Sequence, residues 1–156
     1  MAGTFSAYME QQVLDGMMGS TKVIGAWVNS TSLFFGLCTT DISSSGVTSG
    51  GWEFVGKEPS TITLYQRVPI HNSNATNYSM AETSGAVSVK YNNVAITFPT
   101  VAGSSWAHVT HAFVCDPSSC TNTEKMLCYG ELTVHKDLDV GDTASFSTGS
   151  FKITLD

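Results

Sequence analysis

Charge is what this chain has least of. Asp, Glu, Lys and Arg make up 13% of its 156 residues, about half the usual share in soluble proteins. Positive charge is scarcer still, with seven Lys and Arg against thirteen Asp and Glu and a net charge of −6. The seven are scattered, so no basic stripe exists to hold a phosphate backbone, and nucleic acid is not an expected partner. Long apolar runs are missing too. The longest, such as Val23–Val28 with Gly25 inside, fall far short of the roughly 20 residues of a spanning helix, so no membrane partner is expected. No Lys or Arg precedes Lys22, and no apolar stretch of signal-peptide type follows the start. The expectation is a soluble chain that begins life in the cytoplasm, outside the secretory route.

The motifs of chemistry are absent as well. Cys38, Cys115, Cys120 and Cys128 form no C-x-x-C pair, which removes the usual spacing of a zinc site. His108 and His111 are an odd number of residues apart, which places them on opposite faces of a strand. His71 reads as a loop residue and His135 as one that follows a strand, so no metal is expected. There is no G-x-S-x-G elbow, H-E-x-x-H, Walker loop or G-x-G-x-x-G. Twenty serines make chance Ser–His pairings abundant. Glu53, Glu58, Asp116 and Glu131 could flank a cleft as paired carboxylates, but nothing in their spacing demands it. The reading is no enzyme and no cofactor. The sequons at Asn29, Asn74 and Asn77 are expected by chance in a chain this rich in Asn, Ser and Thr. The segment Cys115 to Cys120, with Pro117-Ser118-Ser119 inside, marks a turn. Two readings of its cysteines stand: a local Cys115–Cys120 disulfide in an oxidising setting, or half-buried free thiols.

What is present is apolar residue, at 42%, among Ser, Thr, Asn and Gly, a mixture suited to short strands and polar turns. A chain of this size buries enough surface for one domain without a metal or disulfide. Residues 1–19 read as the one helix, an arm with Phe5, Tyr8, Met9, Val13 and Met17 near one side. Ser6 and Gln12 also fall there. Thr4 would cap its start and Gly16 or Gly19 its end. That stripe either packs on its own domain or docks on a neighbouring subunit, and the interface reading is the one chosen.

Residues 23–156 read as β. Val23–Val28, Leu33–Cys38, Trp52–Val55 and Ile62–Ile70 are expected strands, with Pro59 and Pro69 suiting edges. His71–Gly85 is a polar excursion. Val87, Val89 and Tyr91 alternate, as do Val94, Ile96 and Phe98, with a turn or bulge at Asn92-Asn93 between them. Trp106–Cys115 and Met126–Val134 form a hairpin, Gly141-Asp142-Thr143 a turn, and Phe151, Ile153 and Leu155 line a final strand. The expected fold is a single mainly β domain, an antiparallel β-sandwich or jelly-roll-like barrel with one short N-terminal helix.

Along this frame lie Leu33–Asp41, Tyr65-Gln66-Arg67, Asn77-Tyr78-Ser79, Asn93–Pro99, Trp106–His111, Asp116, Gly130–Thr133, Gly141-Asp142 and Ile153–Asp156. In this order they resemble the small structural proteins of tailed bacteriophages, often labelled tail fiber or minor virion proteins. The opening, with Phe5, Tyr8 and Leu14-Asp15, is similar too. Ala107 stands where the pattern has Gly, and Cys38, Cys115 and Cys128 stand where it has Ser or apolar residues. The resemblance implies a virion component, made in the host bacterial cytoplasm, whose partners are the major capsid protein or other virion subunits and copies of itself. By the same analogy a trimer is expected. Two placements follow: a cement or decoration protein outside the head, or a tail or neck fiber or adaptor. Small size, acidity and the lack of repeats or coiled coil favour decoration.

Overall fold

The computed structural model describes residues 32–40, 56–59, 64–71, 82–84, 87–116 and 125–155. They form nine strands: β1 (Ser32–Cys38), β2 (Val68–His71), β3 (Glu82–Ser84), β4 (Val87–Tyr91), β5 (Ile96–Thr97), β6 (Trp106–Asp116), β7 (Lys125–Leu138), β8 (Ser145–Phe146) and β9 (Lys152–Leu155). No helix occurs among the described residues. The mainly β, antiparallel expectation holds. The helical arm over 1–19, with Phe5, Tyr8, Met9, Val13 and Met17, lies outside the described residues, as do the strands expected at Val23–Val28 and Trp52–Val55.

The chain divides into two compact units, one drawn from Leu33–Ile70 and Thr97–Ser145, the other from Met1–Ser32, His71–Ile96 and Phe146–Asp156. The first carries a four-stranded sheet in the order β2-β1-β6-β7. β1 lies inside it, and Leu33, Phe35, Leu37 and Cys38 are all buried. A strand covered on both faces reads as a continuous apolar run, which is what Leu33–Cys38 is. Period-two alternation puts Phe35 on one face and Phe34, Gly36 and Cys38 on the other. Phe35 belongs to an aromatic cluster with Tyr65, Phe98 and Trp106, whose neighbouring ring centroids are 5.2–6.4 Å apart. Such tilted, stacked and edge-on contacts add to the burial of the rings. On the other face Phe34 packs against Cys38, Phe113 and Cys115. Gly36 pairs with Phe113, and any Cβ at Gly36 would collide with that ring. The glycine is there so that the aromatic can lie across the strand.

β6 and β7 form the expected hairpin, Asp116 pairing with Lys125 at its closed end. β7 runs to Leu138, past the expected end at Val134, so His135 lies within the strand rather than after it. Of the expected strand Ile62–Ile70, the described residues before Val68 are not strand; Leu64 has φ +57°, a backbone that a branched side chain rarely adopts. The strand begins only at Val68 and takes in His71, which had read as loop. Among the described residues β2 is an outer strand of its sheet, where the missing N–H of Pro69 is tolerated. At the Gly141 turn the Asp142 N–H donates to the Asp139 carbonyl at 2.9 Å.

The second unit carries a three-stranded sheet in the order β3-β4-β9. Asn92, fully buried after β4, closes it. Its side-chain amide donates to the carbonyls of Val94 and Ser147 at 2.8 and 3.0 Å. Its side-chain oxygen accepts from the Phe151 N–H at 3.0 Å. This is the phase shift expected at Asn92-Asn93. The short strands β5 and β8 pair with each other.

Candidate functional site

Two constellations of polar side chains stand out, both in the unit that holds the four-stranded sheet. The first is buried. The segment 56–59 is tied to β1, where the Thr39 N–H donates to the Lys57 carbonyl at 2.8 Å. That places Glu58 against Arg67 in a two-point ion pair, Nε to Oε1 at 2.9 Å and Nη2 to Oε2 at 2.6 Å. Their side chains are only 8% and 3% exposed. The Tyr65 hydroxyl donates to Glu58 Oε1 at 2.8 Å and accepts the Leu37 N–H at 2.8 Å. Arg67 also donates to the Cys115 sulfur at 3.4 Å and lies over the Phe113 ring. Burial, and then the Glu58 charge, hold the Tyr65 phenol well above its usual range. The same two causes, in the same order, push the Cys38 thiol far up. Burial pushes the Cys128 thiol up to about 12. These groups are kept protonated, the reverse of what nucleophilic catalysis asks of a thiol. The cluster works as a clasp between a loop and the sheet.

The second constellation is exposed and lies along β7, the outermost described strand of its sheet. Val109 pairs with Lys136 and His111 with Glu131, so Thr110 alone stands against Leu132, Thr133, Val134 and His135. Trp106 pairs with Leu138, so Ala107 and His108 stand against Asp137 alone. Both strands therefore bulge, each toward solvent, and His108 takes φ +55° to do so. The His108 N–H donates to Asp137 Oδ1 at 2.5 Å, and its ring Nδ1 lies 3.8 Å from the same oxygen. His135 Nε2 lies 3.0 Å from Glu131 Oε1. The two imidazoles meet edge to face with centroids 5.8 Å apart. An open depression of about 430 Å³ is lined by Glu131, Leu132, Thr133 and His135. Exposed Tyr129, Val134 and Val140 lie near it in sequence, and Leu64 is exposed in the same unit.

The residues singled out from sequence fare differently. Cys115 is a buried thiol on β6, and Cys120 lies outside the described residues. His111 is buried beside Thr110, while His108 is exposed in a bulge. His108 meets His135 instead, which spacing alone could not show because bulges set the register. Glu58 is taken up by Arg67 and Tyr65, and Glu131 by His135. Glu53 lies outside the described residues. Among the described residues, no group of three or more His, Cys, Asp or Glu converges in a way that could hold a metal ion, and no helix is long and apolar enough to cross a membrane.

Comparison with curated proteins finds no match. A family profile described as Podophage GP4 fiber I protein gp80 matches residues 4–154. The resemblance to tailed-phage virion proteins drawn from Leu33–Asp41, Tyr65-Gln66-Arg67 and the segments after them is thereby borne out. Nearly the whole chain lies within the match, and it belongs to this family of phage fiber proteins, a virion structural class.

Proposed function

We propose that the chain is a non-enzymatic fiber or adaptor component at the phage tail or neck, built into the particle by contacts with other virion subunits and with copies of itself. The match to a fiber family over residues 4–154 carries this reading. It replaces decoration of the head as the preferred placement, because small size and acidity are shared by both placements and the family description is of a fiber. Two further features support a binding role. The Cys115 thiol and Glu58 are both engaged by Arg67 within the fold. Leu64, Tyr129, Val134 and Val140 are exposed apolar side chains that a partner could cover.

Copy number in purified particles, measured by mass spectrometry against the major capsid protein, tests the proposal together with immunogold labelling. About a dozen copies with label at one vertex or along the tail fit a closed ring or fiber set and uphold it. Hundreds of copies spread over the head overturn it in favour of a cement role. Absence from particles overturns both virion placements.

A further inference from the structure

The histidine pair on β6 and β7 is made by two independent bulges. Without the extra residues on β7, His135 would not be beside the β6 bulge; without the extra residue on β6, His108 would not turn out to meet it. Glu131 is hydrogen-bonded to His135 Nε2, and Asp137 holds His108 by its backbone N–H, with the ring Nδ1 3.8 Å from the same oxygen. That leaves His108 Nε2 and His135 Nδ1 without a hydrogen-bond partner among the described contacts. A carboxylate hydrogen-bonded to one imidazole nitrogen orients the ring and leaves the other nitrogen for a ligand, as behind metal-bound histidines, and Glu131 stands so behind His135.

The spacing fits one ion. With metal–nitrogen bonds of about 2.0–2.1 Å, two imidazoles on a common ion have centroids roughly 5–6 Å apart. The observed 5.8 Å, at an interplanar angle of 71°, falls in that range. The rings are exposed, 68% for the His108 side chain and 38% for that of His135, so both can rotate out of their edge-to-face contact and turn a nitrogen toward a common ion without disturbing the core.

We infer that His108 and His135 form an open two-histidine site for a divalent transition metal of the zinc type, with Asp137 and Glu131 as positioning residues. The chain supplies two nitrogen donors, and water fills the remaining positions. Imidazole donors select zinc, nickel, copper or cobalt over magnesium or calcium, which want oxygen.

The test is titration of the full chain with Zn²⁺ by calorimetry in a non-chelating buffer, repeated with Co²⁺ by absorbance. One Zn²⁺ per chain is expected, with a Co²⁺ spectrum free of thiolate charge-transfer bands. His108→Ala and His135→Gln should each lower affinity at least about 100-fold, and Asp137→Asn or Glu131→Gln about 10- to 100-fold. Far-UV spectra and melting of the metal-free variants should not change, since all four side chains are exposed. No saturable binding below about 1 mM overturns the site. So does binding that survives His135→Gln, or a Co²⁺ spectrum with thiolate bands, which reads the wild-type chain and needs no variant. None of these outcomes depends on where the protein sits in the particle.

Discussion

Arg67 and Glu58 show what a buried charge demands. Both side chains are almost fully covered, and each satisfies the other at two points. Removing one leaves the other without its counter-ion in a dry site, which costs about 3–5 kcal/mol. Arg67→Ala should therefore lower the melting temperature by about 10 °C, on the usual slope for a chain of this size. Arg67→Met combined with Glu58→Gln should lose less than the two single changes summed, and thermal melts of the three variants check this. Tyr65, Cys38 and Cys128 predict an alkaline weakness. Each is held protonated in the fold, above ordinary values of 10.0 for the phenol and 9.0 for the thiols. The unfolded chain gives up these protons first, so stability is full below about pH 9 and drains as pH rises beyond it. The thiols act from about pH 9, Cys128 through its folded value of about 12, and the phenol acts from about pH 10. Urea midpoints should fall steadily between pH 9 and 11. Tyr65→Phe should flatten the part above pH 10, and a level profile in the parent would refute the assignment. Tyr65-Gln66-Arg67 was visible in the sequence as a resemblance. Its role was not, because the partner Glu58 lies on a separate loop and no spacing rule links them.

Strands were legible where burial is complete or alternation is clean. β1 is an apolar run because both its faces are covered, and β9 alternates Lys152, Ile153 and Thr154 between exposed and half-buried positions. β3 is short and polar, Glu82–Ser84, and β8 has only two residues, Ser145–Phe146, so no periodicity exists in them to read. The bulges of β6 and β7 were illegible for another reason. Register is a property of two strands together, and a shift of one residue leaves no mark on either alone. This is why His108 and His135 were read apart. Asn92 ties the end of β4 to the segment before β9. Asn92 gives its backbone N–H to Phe151 at 3.2 Å and takes the Gly149 N–H at 2.7 Å, besides its side-chain bonds. Asn92→Ala keeps the backbone pair and strips the side-chain set. The loss should be on the order of 2–3 kcal/mol, because the partner groups at Val94 and Ser147 are exposed enough to regain water. Hydrogen exchange should show the amides of β4 and β9 opening before those of β1 and β6. Uniform exchange across both sheets would deny Asn92 this local role.

At the scale of the whole molecule, the exposed apolar residues are the features that folding alone does not explain. Leu64 is 61% exposed and Val134 62%, and Leu64 holds a backbone angle that glycine would adopt at lower cost. Lone exposed leucines and valines are common enough to mean nothing. Here one sits beside the Tyr65 clasp, which fixes its position, and the other crowns a bulge that turns it outward. A leucine or valine buried at an interface contributes about 1.5–3 kcal/mol, or roughly ten- to a hundredfold in affinity. If these residues meet other virion subunits, Leu64→Asp and Val134→Asp should each cut incorporation into phage particles by at least about tenfold. The purified variants should melt within a degree or two of the parent, since neither side chain is part of the core. Mass spectrometry of particles grown with each variant, set beside melts of the free proteins, separates assembly from folding. Normal incorporation of both variants would remove this surface from the assembly contacts. The search for the partner would then pass to residues 1–31, where the stripe of Phe5, Tyr8, Met9, Val13 and Met17 lies.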